Sequence, residues 1–152
     1  MKAVIQRVKN ASCTVEGTVT GAIDSGLLVY FGVDKGEDTS VLQRFLEKIV
    51  RLRCFEDDNG KMNLSIMDKG ASILFISQFT LSADVYHGNR PSFDSAEEPE
   101  KAKSVYEKGI AILKNLGINV QCGIFGAHME ISYINDGPVT FVLDSACFSH
   151  RS

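Results

Sequence analysis

Two short stretches hold the groups with the best claim to chemistry. Ser77-Gln78-Phe79-Thr80-Leu81 closes an apolar run, and Asn135-Asp136-Gly137-Pro138-Val139-Thr140 separates two alternating segments near the C-terminus. A serine or threonine hydroxyl attacks a carbonyl only when a neighbouring base takes its proton. Neither Ser77 nor Thr80 has a histidine or lysine beside it in sequence, so His87 or His128 would have to fold back to serve. There is no G-x-S-x-G elbow, no phosphate-cradling G-x-x-x-x-G-K-[ST] and no G-x-G-x-x-G after a strand. The second stretch reads in two ways. Asn, Asp and Gly tolerate positive φ, so a hairpin turn is the plainer account. The other account makes Gly137-Pro138 a rigid backbone element that presents carbonyl oxygens to a ligand, whether cis or trans. On residue types alone, these groups make a binding site without acid–base machinery.

At 152 residues the chain fits one domain, 1–152, able to bury roughly two thirds of the surface its unfolded form exposes. Hydrophobic residues make up 44% and charged residues 23%, a balance that argues for a globular domain over a disordered chain. A net charge of −3 argues against extended tracking of phosphates. DNA is therefore not an expected partner, and any RNA contact should be local. Lys2 and Arg7 leave no room for a secretory apolar segment, and no apolar run nears the ~20 residues that span a bilayer. Cys13, Cys54, Cys122 and Cys147 are scattered without C-x-x-C spacing, and His87, His128 and His150 are equally dispersed. The expectation is a reducing cytoplasm, with no disulfide framework, metal or other cofactor.

The rest of the chain must hold the two stretches in place. Residues 2–8 and 12–19 read as two strands, with Glu16-Gly17 as a hairpin turn and a further turn between Gly21 and Gly26. Leu27–Val33 is a continuous apolar run and reads as a strand buried on both faces. After a polar loop, Val41, Leu42, Phe45, Leu46, Ile49 and Val50 mark one face of a helix reaching about Arg53. Arg44, Lys48 and Arg51 decorate its other face, solvated by default and RNA-facing in a sharper reading. Asp57-Asp58-Asn59-Gly60 predicts a tight hairpin between 53–56 and 61–64.

Residues 71–81 read as a central strand, with Gln78 and Thr80 on one face and Ser77, Phe79 and Leu81 on the other. The loop 82–94 carries Tyr86, His87, Arg90 and Phe93, more large side chains than a plain solvent loop holds, which predicts a fold over a pocket or interface. Ser95–Glu98 fits a capping box ahead of a second helix, whose stripe is Ala102, Val105, Tyr106, Gly109, Ile110 and Leu113 and whose stop is Gly117. Segments 119–125, 128–134 and 139–143 then read as three consecutive antiparallel strands. About eight strands and two helices predict an α+β domain with a mainly antiparallel, curved or barrel-like sheet. Two helices leave apolar sheet uncovered, which a symmetric homodimer would bury.

The pair of stretches resembles the two signature motifs of the D-aminoacyl-tRNA deacylases, formerly called D-tyrosyl-tRNA deacylases. Ile5-Gln6-Arg7-Val8, Gly60–Asn63, Gly88–Phe93 and Phe125-Gly126-Ala127 fit in the same order, and only the residues after Leu143 fall outside the pattern. The resemblance implies a homodimeric editing enzyme without a cofactor. It would hydrolyse the ester between a D-amino acid, or glycine mischarged on tRNA(Ala), and the 3′-terminal adenosine of tRNA. It implies a cis Gly137-Pro138 peptide inserted into the partner subunit's active site, where two carbonyl oxygens fill the space an L side chain needs. Ser77, Gln78, Phe79 and Thr80 would form the catalytic pocket, Ala127 and Asn135 would support it, and Arg7 would brace the Gly-Pro element. The ribose 2′-hydroxyl of the substrate would assist the chemistry. Two other readings stand beside this one: an esterase with Thr80 as nucleophile, and a non-catalytic RNA- or protein-binding module.

Overall fold

The computed structural model describes residues 1–148, so His150 lies outside the described residues. Lys2–Val15 forms one 14-residue strand, β1, where the sequence reading expects separate strands at 2–8 and 12–19. β2 (Thr18–Ile23) follows a turn in which Glu16 and Gly17 both take positive φ, and β3 is Gly26–Gly32. One edge of β1 carries β3 along residues 2–8 and β2 along residues 11–15. Its other edge is covered along almost its whole length by β8, Glu130–Asp144.

β6 (Ser72–Ser77) lies parallel to β3, and β7 (Asn119–Cys122) lies parallel to β6. The six-stranded sheet is therefore mixed, and the expected run of three antiparallel strands after residue 119 does not form. The reason is α3 (Pro99–Asn115), which acts as a crossover and so returns the chain in the parallel sense. Residues 130–144 then make one strand instead of two. The sheet almost closes on itself: a Cβ added to Gly21 of β2 would stand 2.6 Å from the carbonyl oxygen of Cys122 in β7. β4 (Phe55–Glu56) and β5 (Met62–Leu64) form the small hairpin that Asp57–Gly60 predicted. The α+β class, the barrel-like sheet and, among the described residues, eight strands match the expectation.

The helices differ in detail. α1 is Leu42–Val50, ending three residues before the predicted Arg53, and Val41 belongs to the 3₁₀ turn ahead of it. A third, short helix, α2 (Ile66–Lys69), holds the capping box, made by Ser65 and Asp68. The box expected at Ser95–Glu98 is absent, and α3 starts at Pro99 with no side-chain cap. Among the described residues no helix is long and apolar enough to cross a membrane.

The predicted stripe of α1 is buried throughout, and Val105, Tyr106, Gly109 and Leu113 of α3 join it against Leu27, Val29 and Phe31 of β3. Leu28, Leu74 and Ile76 point the other way and pack with Val8, Ala11, Cys13 and Ile23 inside the curve of the sheet. β3 is thus buried on both faces, as its unbroken apolar run requires. All four cysteines are free.

The parallel pair β3–β6 depends on a close approach at Gly26. A Cβ there would lie 2.0 Å from the carbonyl oxygen of Ser72. Because the obstacle is backbone, nothing nearby can swing aside. Gly26→Ala is expected to cost about 3 kcal/mol or more, lowering the melting temperature by roughly 6–12 °C. Gly36→Ala, whose added Cβ would meet nothing within 4 Å but would sit at φ +73, is the comparison: it carries left-handed strain of about 1–2 kcal/mol and no clash, so it should cost less. Equal melting temperatures for the two variants would refute the close-approach argument.

Candidate active site

β6 stops at Ser77 because its partner β3 runs out at Gly32. The last rung is the Gln78 N–H, which donates to the Phe31 carbonyl at 2.8 Å. Gly32 admits the Gln78 carbonyl, since a Cβ there would lie 2.7 Å from that oxygen. The chain then tightens into a single 3₁₀ turn, Phe79–Ser82. The period-two reading of Gln78 and Thr80 fails here, yet the two side chains still meet: Gln78 Nε2 donates to Thr80 Oγ1. The first hydrogen bond of the turn runs from Leu81 N–H to the Gln78 carbonyl. The N–H groups of Phe79 and Thr80 precede it and are left for other acceptors.

Ser77, Gln78 and Phe79 border a cavity of about 580 Å³ between the sheet and the start of α3. Its walls are apolar, with Phe31, Tyr106, Phe125 and Met129, while Glu97 and His128 sit among its polar lining. Tyr106 is stacked on Phe75 and donates its hydroxyl to the Phe75 carbonyl at 2.7 Å. Burial pushes that hydroxyl well above the ordinary tyrosine range, so it stays a neutral donor and offers no base. Thr80 is exposed, and its one side-chain partner among the described residues is an amide. Nothing adjacent prepares it to lose a proton. Among the described residues no group of three or more His, Cys, Asp or Glu side chains could hold a metal ion.

The Asn135–Thr140 stretch is not a hairpin turn. Both of its flanks pair with β1 in the same antiparallel sense, Asn135 opposite Val8 and Thr140 opposite Gln6. Four residues of β8, Asp136 to Val139, therefore stand against one residue of β1, Arg7. The extra chain bulges out, with Gly137 at φ +142 and a cis Gly137-Pro138 peptide at its crest. Its neck is clamped from within. Asn135 Nδ2 donates to the carbonyls of Arg7 at 3.1 Å and Val139 at 3.0 Å. Arg7, only 5% exposed, donates Nε to the Asp136 carbonyl at 3.1 Å and Nη1 to the Cys54 carbonyl at 2.7 Å. The crest itself, Gly137 and Pro138, faces solvent.

The predicted site residues thus fall into two groups. Ser77, Gln78, Phe79 and Ala127 border the cavity, with Thr80 next in the turn. Arg7, Asn135, Gly137 and Pro138 build the bulge and do not line that cavity. Sequence reasoning missed Phe31, Tyr106 and Met129 as cavity walls, because each sits in an ordinary core pattern. For Tyr106 a signal existed: a hydroxyl within a core stripe must find a buried partner.

A family model described as D-Tyr-tRNA(Tyr) deacylase matches residues 4–144. A D-aminoacyl-tRNA deacylase of Thermosipho africanus is 50% identical over 145 residues, covering 95% of this chain and 97% of the relative. Among solved structures, a c-Myc DNA Unwinding Element Binding Protein superposes with a TM-score of 0.90 at 41% identity, covering 95% of this chain and 99% of the other. A probable eukaryotic D-amino acid tRNA deacylase shares the fold with a TM-score of 0.81 at 14% identity, over 93% of this chain and 97% of the other.

Proposed function

The chain belongs to the D-Tyr-tRNA(Tyr) deacylase family, and on that footing we propose that it edits tRNA in the cytoplasm by hydrolysing D-aminoacyl esters of the 3′-terminal adenosine. Water adds to the ester carbonyl carbon, the bond to the ribose 3′-oxygen breaks, and that oxygen leaves with a proton. The cavity beside Ser77–Phe79 is of a size and polarity for a nucleoside: apolar walls for the base, a few polar groups to orient it. The Phe79 and Thr80 N–H groups precede the first hydrogen bond of the turn, and such donors suit a developing oxyanion, where one contributes ~2.7–4 kcal/mol.

The observation that carries the reading is the clamped bulge. A turn that served only to connect strands would need neither Asn135 across its neck nor a buried guanidinium behind it. Instead a stiff crest is held out to solvent, as a backbone surface offered to something else. In a symmetric dimer the crest of one protomer reaches the cavity mouth of the other. The unpaired edge of β8 and its exposed Tyr133, Ile134 and Val142 fit burial in such an interface. Backbone oxygens in the place of an L side chain cannot rotate away, so L substrates are refused. A D residue points elsewhere, and glycine, with no side chain, passes; glycyl-tRNA(Ala) is then a substrate as well.

Among the described residues no base adjoins the Thr80 hydroxyl, which favours activation of water by the neighbouring ribose 2′-hydroxyl. Thr80→Ala should then keep D-aminoacyl-tRNA cleavage within about tenfold of wild type, whereas losing a true nucleophile costs on the order of 10⁶. A tRNA ending in 2′-deoxyadenosine should be cleaved about 10²–10⁴-fold more slowly, the range for loss of a positioned proton-transfer group. The deciding measurement is release of amino acid from D- and L-aminoacyl-tRNA. Cleavage of both alike would overturn the chirality reading, and cleavage of neither would leave a binding module.

A further inference from the structure

The loop between the 3₁₀ turn and α3 contains the Gly88-Asn-Arg-Pro-Ser-Phe93 segment that neither the cavity nor the bulge explains. Its foot is fixed at the cavity. Phe93 and Phe79, both cavity-lining, meet edge to face at 5.0 Å between ring centres. Asp84 and Ser92 exchange backbone hydrogen bonds of 2.8 and 3.0 Å, which closes the loop at its base. The tip is the reverse of a packed structure. Tyr86 is 90% exposed, and the His87 side chain 87% exposed. Asp84 holds both in place: one carboxylate oxygen accepts from the Tyr86 N–H at 2.9 Å and the other pairs with His87 Nδ1 at 2.8 Å. Those bonds, the Tyr86 N–H first, hold the Asp84 carboxyl below its usual range, so it stays ionised and occupied. Arg90, also exposed, has no carboxylate within 4.0 Å among the described residues.

A tyrosine ring open to solvent and an unpaired guanidinium, on a loop whose foot is the wall of a nucleoside-sized cavity, match one ligand chemistry. Unstacked bases lie on aromatic faces, and the phosphates between them take an arginine fork. We infer that the loop Asp84–Ser92 is a docking arm for the single-stranded nucleotides immediately 5′ of the terminal adenosine, with Tyr86 stacking a base and Arg90 holding a phosphate. The inference rests on the deacylase reading and extends it from the reacting nucleoside to the strand that follows. It also accounts for how an acidic chain meets RNA: the contact is confined to one cation and one ring.

The test uses two substrates, D-aminoacyl-tRNA and the same D-amino acid esterified to adenosine alone. Tyr86→Ala should lower kcat/KM on the tRNA roughly tenfold, through KM. Tyr86→Phe should match wild type, and neither variant should change cleavage of aminoacyl-adenosine. Arg90→Ala should flatten the slope of log KM against log salt by about 0.7, the value for one contact on a single strand. Equal losses on both substrates, or no loss on tRNA, would overturn the arm. If wild type cleaves neither substrate, the deacylase reading is what has failed. The arm is then judged by binding of a short single-stranded RNA, where equal affinities of wild type and Tyr86→Ala would reject it in favour of a protein-facing loop.

Discussion

Gly137→Ala should lower kcat/KM for D-aminoacyl-tRNA about a hundredfold while the protein stays folded, its melting temperature reduced by roughly 2–12 °C. At φ +142 an L side chain is strained whatever space surrounds it, and a residue forced to remain there costs about 1–3 kcal/mol. Space is also lacking: the added Cβ would lie 2.6 Å from Val139 Cγ2, 2.9 Å from the Val139 nitrogen and 3.3 Å from an Arg7 terminal nitrogen. The bulge must therefore move off its braces, and movement of ~1 Å at a reacting centre is enough for a loss of 10². The fold survives because the crest is exposed and the strand pairs on both sides of it are kept. The informative readout is the ratio of D to L cleavage, which should fall with the rate. A variant with wild-type rate and wild-type selectivity would remove the crest from the mechanism.

How far the sequence alone reached depended on whether a feature was local. The α1 stripe from Val41 to Val50 and the Asp57–Gly60 hairpin were legible because periodicity and turn chemistry act within a few residues. The fully buried β3 was legible because its neighbours on both faces demand the same residue types. Strand direction was not: β7 is parallel only because α3 packs as a crossover, and nothing between Asn119 and Cys122 encodes that. The bulge of β8 was misread for a related reason. Asn135-Asp136-Gly137-Pro138 has hairpin chemistry, but long pairing with β1 on both flanks outweighs it and keeps the chain running forward. Turn residues there make a bulge within a strand instead of a reversal. The candidate site was named by resemblance to a family, whereas its mechanics came from long-range contacts. Arg7 lies 129 residues from the Asp136 carbonyl it holds, and no window along the chain joins them.

Arg7→Ala should be the most damaging single change at the candidate site, because it removes support from two segments at once, residues 54–56 and the bulge. The guanidinium reaches the Cys54 carbonyl, the Asp136 carbonyl and, at 3.5 Å, the Asp136 carboxylate, with Glu56 at 3.9 Å. Bonds from a charged donor contribute about 1.5–3 kcal/mol each when buried. Their loss, with the void left behind, should cost about 3–5 kcal/mol, a fall of roughly 10 °C in melting temperature. Lysine should rescue little of this, since an ammonium cannot serve two carbonyls in the fixed fork that Nε and Nη1 provide. Asp136→Asn should be milder, because the carbonyl Arg7 holds is unchanged and the carboxylate is partly solvated. To part a positioning role from a merely stabilising one, activity is measured well below the melting point of the variant, with folding verified by circular dichroism. A folded Arg7→Ala protein should still lose D/L selectivity, and adding Gly137→Ala should lower activity by less than the product of the two single effects, because both act through the same bulge. Full selectivity in the folded variant would reduce Arg7 to a core residue, and independent effects would separate it from the crest it is argued to hold.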